Sequence, residues 1–124
     1  MNTIKEKLKQ IGYESPYEIS KKMGCPKDYC EFIKIYSGQE LSSIFRLYSF
    51  PMNYQAIYGR EIPELEGMLV FGSDLGEYVY AFDTKNNWEV VDIDADGNIV
   101  ERYGDFKSFI NGILDEIIES MENE

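Results

Sequence analysis

The spacing of apolar residues changes period once along the chain, and that change divides the sequence. Over the first forty residues the period is helical. Thr3 to Glu6 forms a T-x-x-E capping box, and Ile4, Leu8 and Ile11 follow on one face of a short helix ending near Gly12. Ser15-Pro16-Tyr17-Glu18 is a second capping box with proline at the first helical position. Gly24 and Pro26 stop that helix. A third begins around Pro26, where Tyr29, Phe32, Ile33 and Tyr36 give the i, i+3, i+4, i+7 spacing of a buried face. Gly38 is placed to cap its C-terminus.

Beyond this point the pattern reads as strands. Residues 43–50 (SIFRLYSF) predict a strand. Residues 51–66, with Pro51, Gly59 and Pro63, predict an irregular connection with room for a helical turn. Residues 67–71 (GMLVF) are a short apolar strand, and residues 77–83 (EYVYAFD) alternate. Asn86-Asn87 and Asp96-Gly97 are turn signals on either side of WEVVDID, so residues 77–103 predict a three-stranded antiparallel meander. The helical period returns at the end. Asp105 is a natural N-cap, and Phe106, Phe109, Ile110, Ile113, Leu114, Ile117, Ile118 and Met121 form one continuous stripe. Asp115, Glu116, Glu119 and Glu122 occupy the opposite face, where acids near a C-terminus oppose the helix dipole at a cost of roughly 0.3–1 kcal/mol each. Helices, then strands, then a helix predict one α+β domain over residues 1–124, with a mainly antiparallel sheet and both helical segments packed on it.

Composition agrees with a chain that buries a core: 124 residues, 44% hydrophobic, with ten tyrosines and seven phenylalanines. The net charge is −11, and it is distributed unevenly. Residues 1–60 carry nine Lys/Arg against six Asp/Glu, whereas residues 61–124 carry three against seventeen, a balance of −14. Such a surface repels phosphate, which argues against nucleic acid and anionic membranes as partners and for a basic protein. Acidity of this degree also serves solubility alone. The N-terminus lacks an apolar signal core and no stretch approaches a membrane span, so a cytoplasmic location is expected.

Candidate chemistry is sparse. The chain has no histidine, the usual general base near neutral pH. Its carboxylates leave a paired-carboxylate hydrolase open, but chance pairs are common among so many acids. Cys25 and Cys30 lie five residues apart on a helical stretch and point to different sides, which disfavours a disulfide and leaves Cys30 as a small apolar residue. Asp92, Asp94, Asp96 and Gly97 match the opening of a calcium-binding EF-hand loop. The bidentate glutamate needed at position 12 is replaced by Tyr103, and the flanks alternate as strands. A hairpin turn is therefore expected there. Residues 71–77 (FGSDLGE) are glycine-rich but lack a phosphate-loop lysine and a following helix, and read as a tight turn. No metal or cofactor is expected.

Several segments together resemble the SUKH superfamily, which includes fungal cell-wall-synthesis regulators and many bacterial immunity proteins. Cys25-Pro26-Lys27-Asp28-Tyr29 through Phe32 and Tyr36-Ser37-Gly38 looks like its P-x-x-Y-x-x-F-x-x-x-Y-N-G helix, with Ser37 in place of the usual Asn. Phe71-Gly72, Gly76, Tyr80-Ala81-Phe82-Asp83 and Val90-Val91 look like its central strands. Asp105-Phe106 with Phe109-Ile110 looks like its closing helix. The resemblance implies that these matched residues are mostly structural: Gly38 and Gly72 for backbone geometry, Phe32, Phe71, Phe82, Phe106 and Phe109 for the core. It also implies that a variable surface selects the partner, in bacterial members often a toxin with nuclease activity. Combined with the acidic second half, it points to a non-enzymatic immunity protein. The candidate contacts are Asp74, Glu77, Asp92, Asp94 and Asp96, with Tyr78 and Trp88 as aromatic anchors. Solvated loops for the acids, and half-buried sheet packing for the two aromatics, are the competing readings. A regulatory or scaffold domain without a toxin is the alternative function.

Overall fold

The computed structural model describes residues 3–36, 40–42, 45–74 and 76–122. Three helices, α1 (Ile4–Gln10), α2 (Pro16–Met23) and α3 (Lys27–Tyr36), precede six strands. These are β1 (Glu40–Ser42), β2 (Phe45–Asn53), β3 (Met68–Ser73), β4 (Val79–Asp83), β5 (Glu89–Ile93) and β6 (Ile99–Gly104). They pair in sequence order, each antiparallel to the next. The β2–β3 connection holds α4 (Tyr54–Tyr58) and a 3-10 turn (Pro63–Leu65), and α5 (Phe106–Glu122) closes the chain. The architecture is α+β, as the order of periods predicts.

Both faces of the sheet are buried, which explains why its central strands read as apolar runs. On one face, Tyr29 and Ile33 of α3 and Phe106, Phe109, Ile110 and Ile113 of α5 pack on Phe45, Leu47, Phe71, Tyr80, Phe82 and Val90. On the other, Tyr54, Ile62 and Leu65 cover Met68, Val70, Ala81, Val91 and Ile93. Aromatic rings dominate the first layer. Phe71 stacks on Phe82 at 4.5 Å, and Tyr29 meets Phe82 and Phe106 edge-on at 5.0 and 5.2 Å. Each fully buried ring contributes ~1.5–3 kcal/mol.

Local sequence sets the helix positions. Thr3 and Ser15 cap α1 and α2 through the amides of Glu6 and Glu18, both at 3.2 Å. Two carboxylates cap α5: Asp105 accepts from the Ser108 amide at 2.9 Å and Asp28 from the Lys107 amide at 3.1 Å. Asp28 thereby ties the start of α3 to the start of α5. Cys25 and Cys30 are free thiols, and the buried Cys30 thiol donates to the Cys25 carbonyl at 3.7 Å.

Some elements differ from the sequence pattern. The apolar stripe of α1 is not buried: Ile4 and Ile11 are 78% and 79% exposed, because no sheet face lies beneath this two-turn helix. Tyr36 is exposed at the end of α3, and Ile118 and Met121 are exposed where α5 outruns the sheet. The second strand continues through Pro51. The β2–β3 register shifts between Leu47 and Met52, so the missing proline N–H falls in the irregular part of the ladder. The connection after it holds two helical pieces, and β1 had no apolar pattern to announce it. Gly38 and its capping role lie outside the described residues.

The Tyr29 ring is wholly buried, and its hydroxyl lies near that of buried Ser20 without either making a hydrogen bond of ordinary geometry among the described residues. Tyr29→Phe should therefore raise stability by up to ~1 kcal/mol, whereas Tyr29→Ala should lose ~3–5 kcal/mol. Urea unfolding distinguishes them; a loss of more than ~1 kcal/mol for the phenylalanine would show that the hydroxyl is satisfied after all.

Candidate functional site

Strand order brings the acidic loops together. Val79, which opens β4, pairs with Ile93, which closes β5. The β3–β4 loop carrying Asp74, Glu77 and Tyr78 therefore lies beside the β5–β6 loop carrying Asp94 and Asp96, at one end of the sheet. Trp88, in the β4–β5 turn, lies at the opposite end.

Both loops are built the same way. Asp74 Oδ1 accepts from the Gly76 and Tyr78 amides at 2.8 and 3.2 Å. Asp94 Oδ1 accepts from the Asp96 and Asn98 amides at 3.0 and 2.9 Å, and Asp94 Oδ2 from the Asn98 side chain at 3.3 Å. An aspartate bonding the amides two and four residues on staples each turn without regular structure. Gly97, at φ 87°, supplies the left-handed residue of its hairpin. Behind that hairpin the Tyr58 hydroxyl donates to the Asp94 carbonyl at 2.8 Å and Arg60 to the Asp96 carbonyl at 3.3 Å. Asp74 and Asp94 thus tie amides of their own loops, while Glu77, Tyr78 and Asp96 remain exposed. Arg60 and Arg46, the latter paired with Ser73, are the cations flanking this end.

The same geometry accounts for the calcium-like motif. Asp92 turns onto the helix-covered face, is 8% exposed, and accepts from the Tyr103 hydroxyl at 2.8 Å. Asp94 is occupied by loop amides. The aspartates diverge into a hairpin, and no three potential ligands converge among the described residues.

Trp88 is half-buried against Phe82 at 5.6 Å, with its ring beside Gly24 at the end of α2. It adopts φ 59° after Asn87 at φ 57°, a paired left-handed turn that a tryptophan rarely takes. Packing holds it there.

Sequence reasoning missed a polar network at that opposite end. Asp83, 2% exposed, accepts from the Asn86 side chain at 2.7 Å, Arg102 at 3.1 Å and the Lys85 amide at 3.2 Å. Arg102 also bonds Glu89 at 2.9 Å. Burial pushes the Asp83 carboxyl up, but the bonds from Asn86, Arg102 and Lys85 outweigh it and hold it below its ordinary value. Only the strand register brings Arg102 to Asp83, so no local pattern could announce it.

Asp94 and Asp105 are also held low, chiefly by backbone bonds from Asn98 and Ser108. A carboxyl depressed in the folded state contributes stability above its unfolded pKa and loses it as pH falls through the folded value. Unfolding free energy should thus be flat from about pH 7 to 5 and fall below about pH 4, with a shallower fall in Asp83→Asn, measurable by urea titration at each pH.

The fold defines a helix-covered antiparallel domain whose aspartates staple its loops and turns. The family described as the SMI1 / KNR4 family (SUKH-1) matches residues 15–112, and the chain belongs to it. This family includes immunity proteins, and its domains are generally non-catalytic. No significant match to a curated protein or to a solved structure is found. Among the described residues no helix is long and apolar enough to cross a membrane.

Proposed function

We propose that this protein is a non-enzymatic immunity protein that binds and neutralises a bacterial toxin in the cytoplasm, through the acidic end of its sheet. One observation carries the reading: Asp74, Glu77, Asp94 and Asp96 share one end of the sheet on two adjacent hairpins. A nuclease grips phosphate through a basic surface, and a preorganised acidic surface occupies such a site while steering the encounter. Tyr78, 36% exposed beside these acids, supplies apolar contact area. The domain needs no reaction of its own, since occupying the toxin's site suffices.

Co-expression with any toxin that a neighbouring gene proves to encode tests the role. Growth should be rescued and the two chains should co-purify. Continued killing with no complex would reject the role and favour a regulatory or scaffold domain.

A further inference from the structure

The molecule carries two exposed apolar stripes with opposite charges around them. The first is on α1. Ile4, Leu8 and Ile11 share one face at i, i+4 and i+7, all are exposed, and the helix has no buried residue. Lys5, Lys7 and Lys9 lie among them. Leu8 and Tyr13 also border a hollow of about 200 Å³, with Lys5 and Lys9 in its lining. The second stripe is at the end of α5, where Ile118 and Met121 run exposed past the sheet. Asp115, Glu116, Glu119 and Glu122 surround them, and residues 115–122 contain no lysine or arginine. We infer that α1 of one copy docks on the end of α5 of a second copy of this chain.

Helix physics says that α1 needs a surface. Helices shorter than about 12–15 residues are marginal in water, and this one has seven residues, a threonine cap and an unburied stripe. The end of α5 has the converse problem. Its carboxylates oppose the helix dipole, and cations brought beside them would offset both.

Charge selects the pairing. Two α1 helices would set lysines against lysines, and two α5 ends would set carboxylates against carboxylates. Only α1 against α5 joins opposite charges along an apolar seam. Neither set of charges is engaged in an ion pair among the described residues. Both stripes are exposed within one chain, so they are not closed on each other, and a second copy supplies the missing member. The hollow beside Leu8, several times the ~30 Å³ of a liquid water, has room for a side chain such as Met121. If the exchange is reciprocal about a two-fold axis, the contact forms twice. Two short helix faces still bury little area, so the association is weak and concentration-dependent.

Sedimentation equilibrium of the full chain over about 10–500 μM tests this. The mean mass should rise with concentration above the 14.4 kDa of one chain, and less so at high salt. Lys5→Glu/Lys9→Glu and Glu119→Lys/Glu122→Lys should each raise the dissociation constant about tenfold or more, and a chain carrying all four changes should associate again. Ile118→Asp/Met121→Asp, at exposed positions, should abolish association with thermal unfolding unchanged. A monomer throughout, association that survives either charge reversal, or no recovery in the fourfold variant would overturn the inference. It does not rest on the toxin reading. These variants leave Glu77 and Asp96 intact, so a chain held monomeric still reports whether the acidic hairpin end binds a toxin.

Discussion

Gly72→Val should destabilise the protein by ~3 kcal/mol or more, a large share of the ~5–15 kcal/mol typical of a whole domain. A Cβ at Gly72 would lie 2.7 Å from the Arg46 carbonyl oxygen and 3.3 Å from the Phe45 ring. The first neighbour is backbone in a paired strand, so relief requires separating β2 from β3. Gly72 also pairs with Leu47 on one side and Tyr80 on the other, where the β3–β4 register shifts. Its role is close approach of strands rather than a left-handed turn. Gly72→Ala should already lose ~1–3 kcal/mol by urea unfolding, and an alanine variant as stable as the parent would show that β2 can withdraw freely.

Asp83→Ala should lose ~2–4 kcal/mol. The substitution leaves the Asn86 side chain, the Lys85 amide and one Arg102 contact without their shared acceptor. Arg102 is 41% exposed and keeps Glu89, which places the loss below that of a fully buried broken pair. A cycle of Asp83→Ala and Arg102→Ala measured by urea unfolding should show positive coupling of about 1 kcal/mol. Purely additive losses would mean that Asp83 acts through the turn amides alone.

Much of this architecture is legible in local pattern. The stripe from Phe106 to Ile113, the N-caps at Thr3 and Ser15, and the Asp96-Gly97 turn each express a short-range rule, and each appears where that rule places it. What local pattern could not express is what depends on distant partners. The α1 stripe has helical spacing but no surface opposite it. Pro51 would end a regular strand, yet a bulge accommodates it. Asp92 and Asp94 belong to one calcium-like motif in the sequence, but the first turns to the helix-covered core and the second staples a loop. The gathering of Asp74 and Glu77 with Asp94 and Asp96 follows from β4 lying against β5, which pairing alone decides. Trp88 shows the same limit, since its ring is spent on Phe82 and the end of α2.

The proposed binding surface is the acidic hairpin end of the sheet. Isothermal titration of the full chain with any toxin that a neighbouring gene proves to encode, comparing the parent with the exposed double variant Glu77→Lys/Asp96→Lys, tests it most directly. A saturable complex weakened about tenfold or more by the charge reversal is expected, with unchanged thermal stability of the free protein. A complex of equal affinity in both proteins would contradict it.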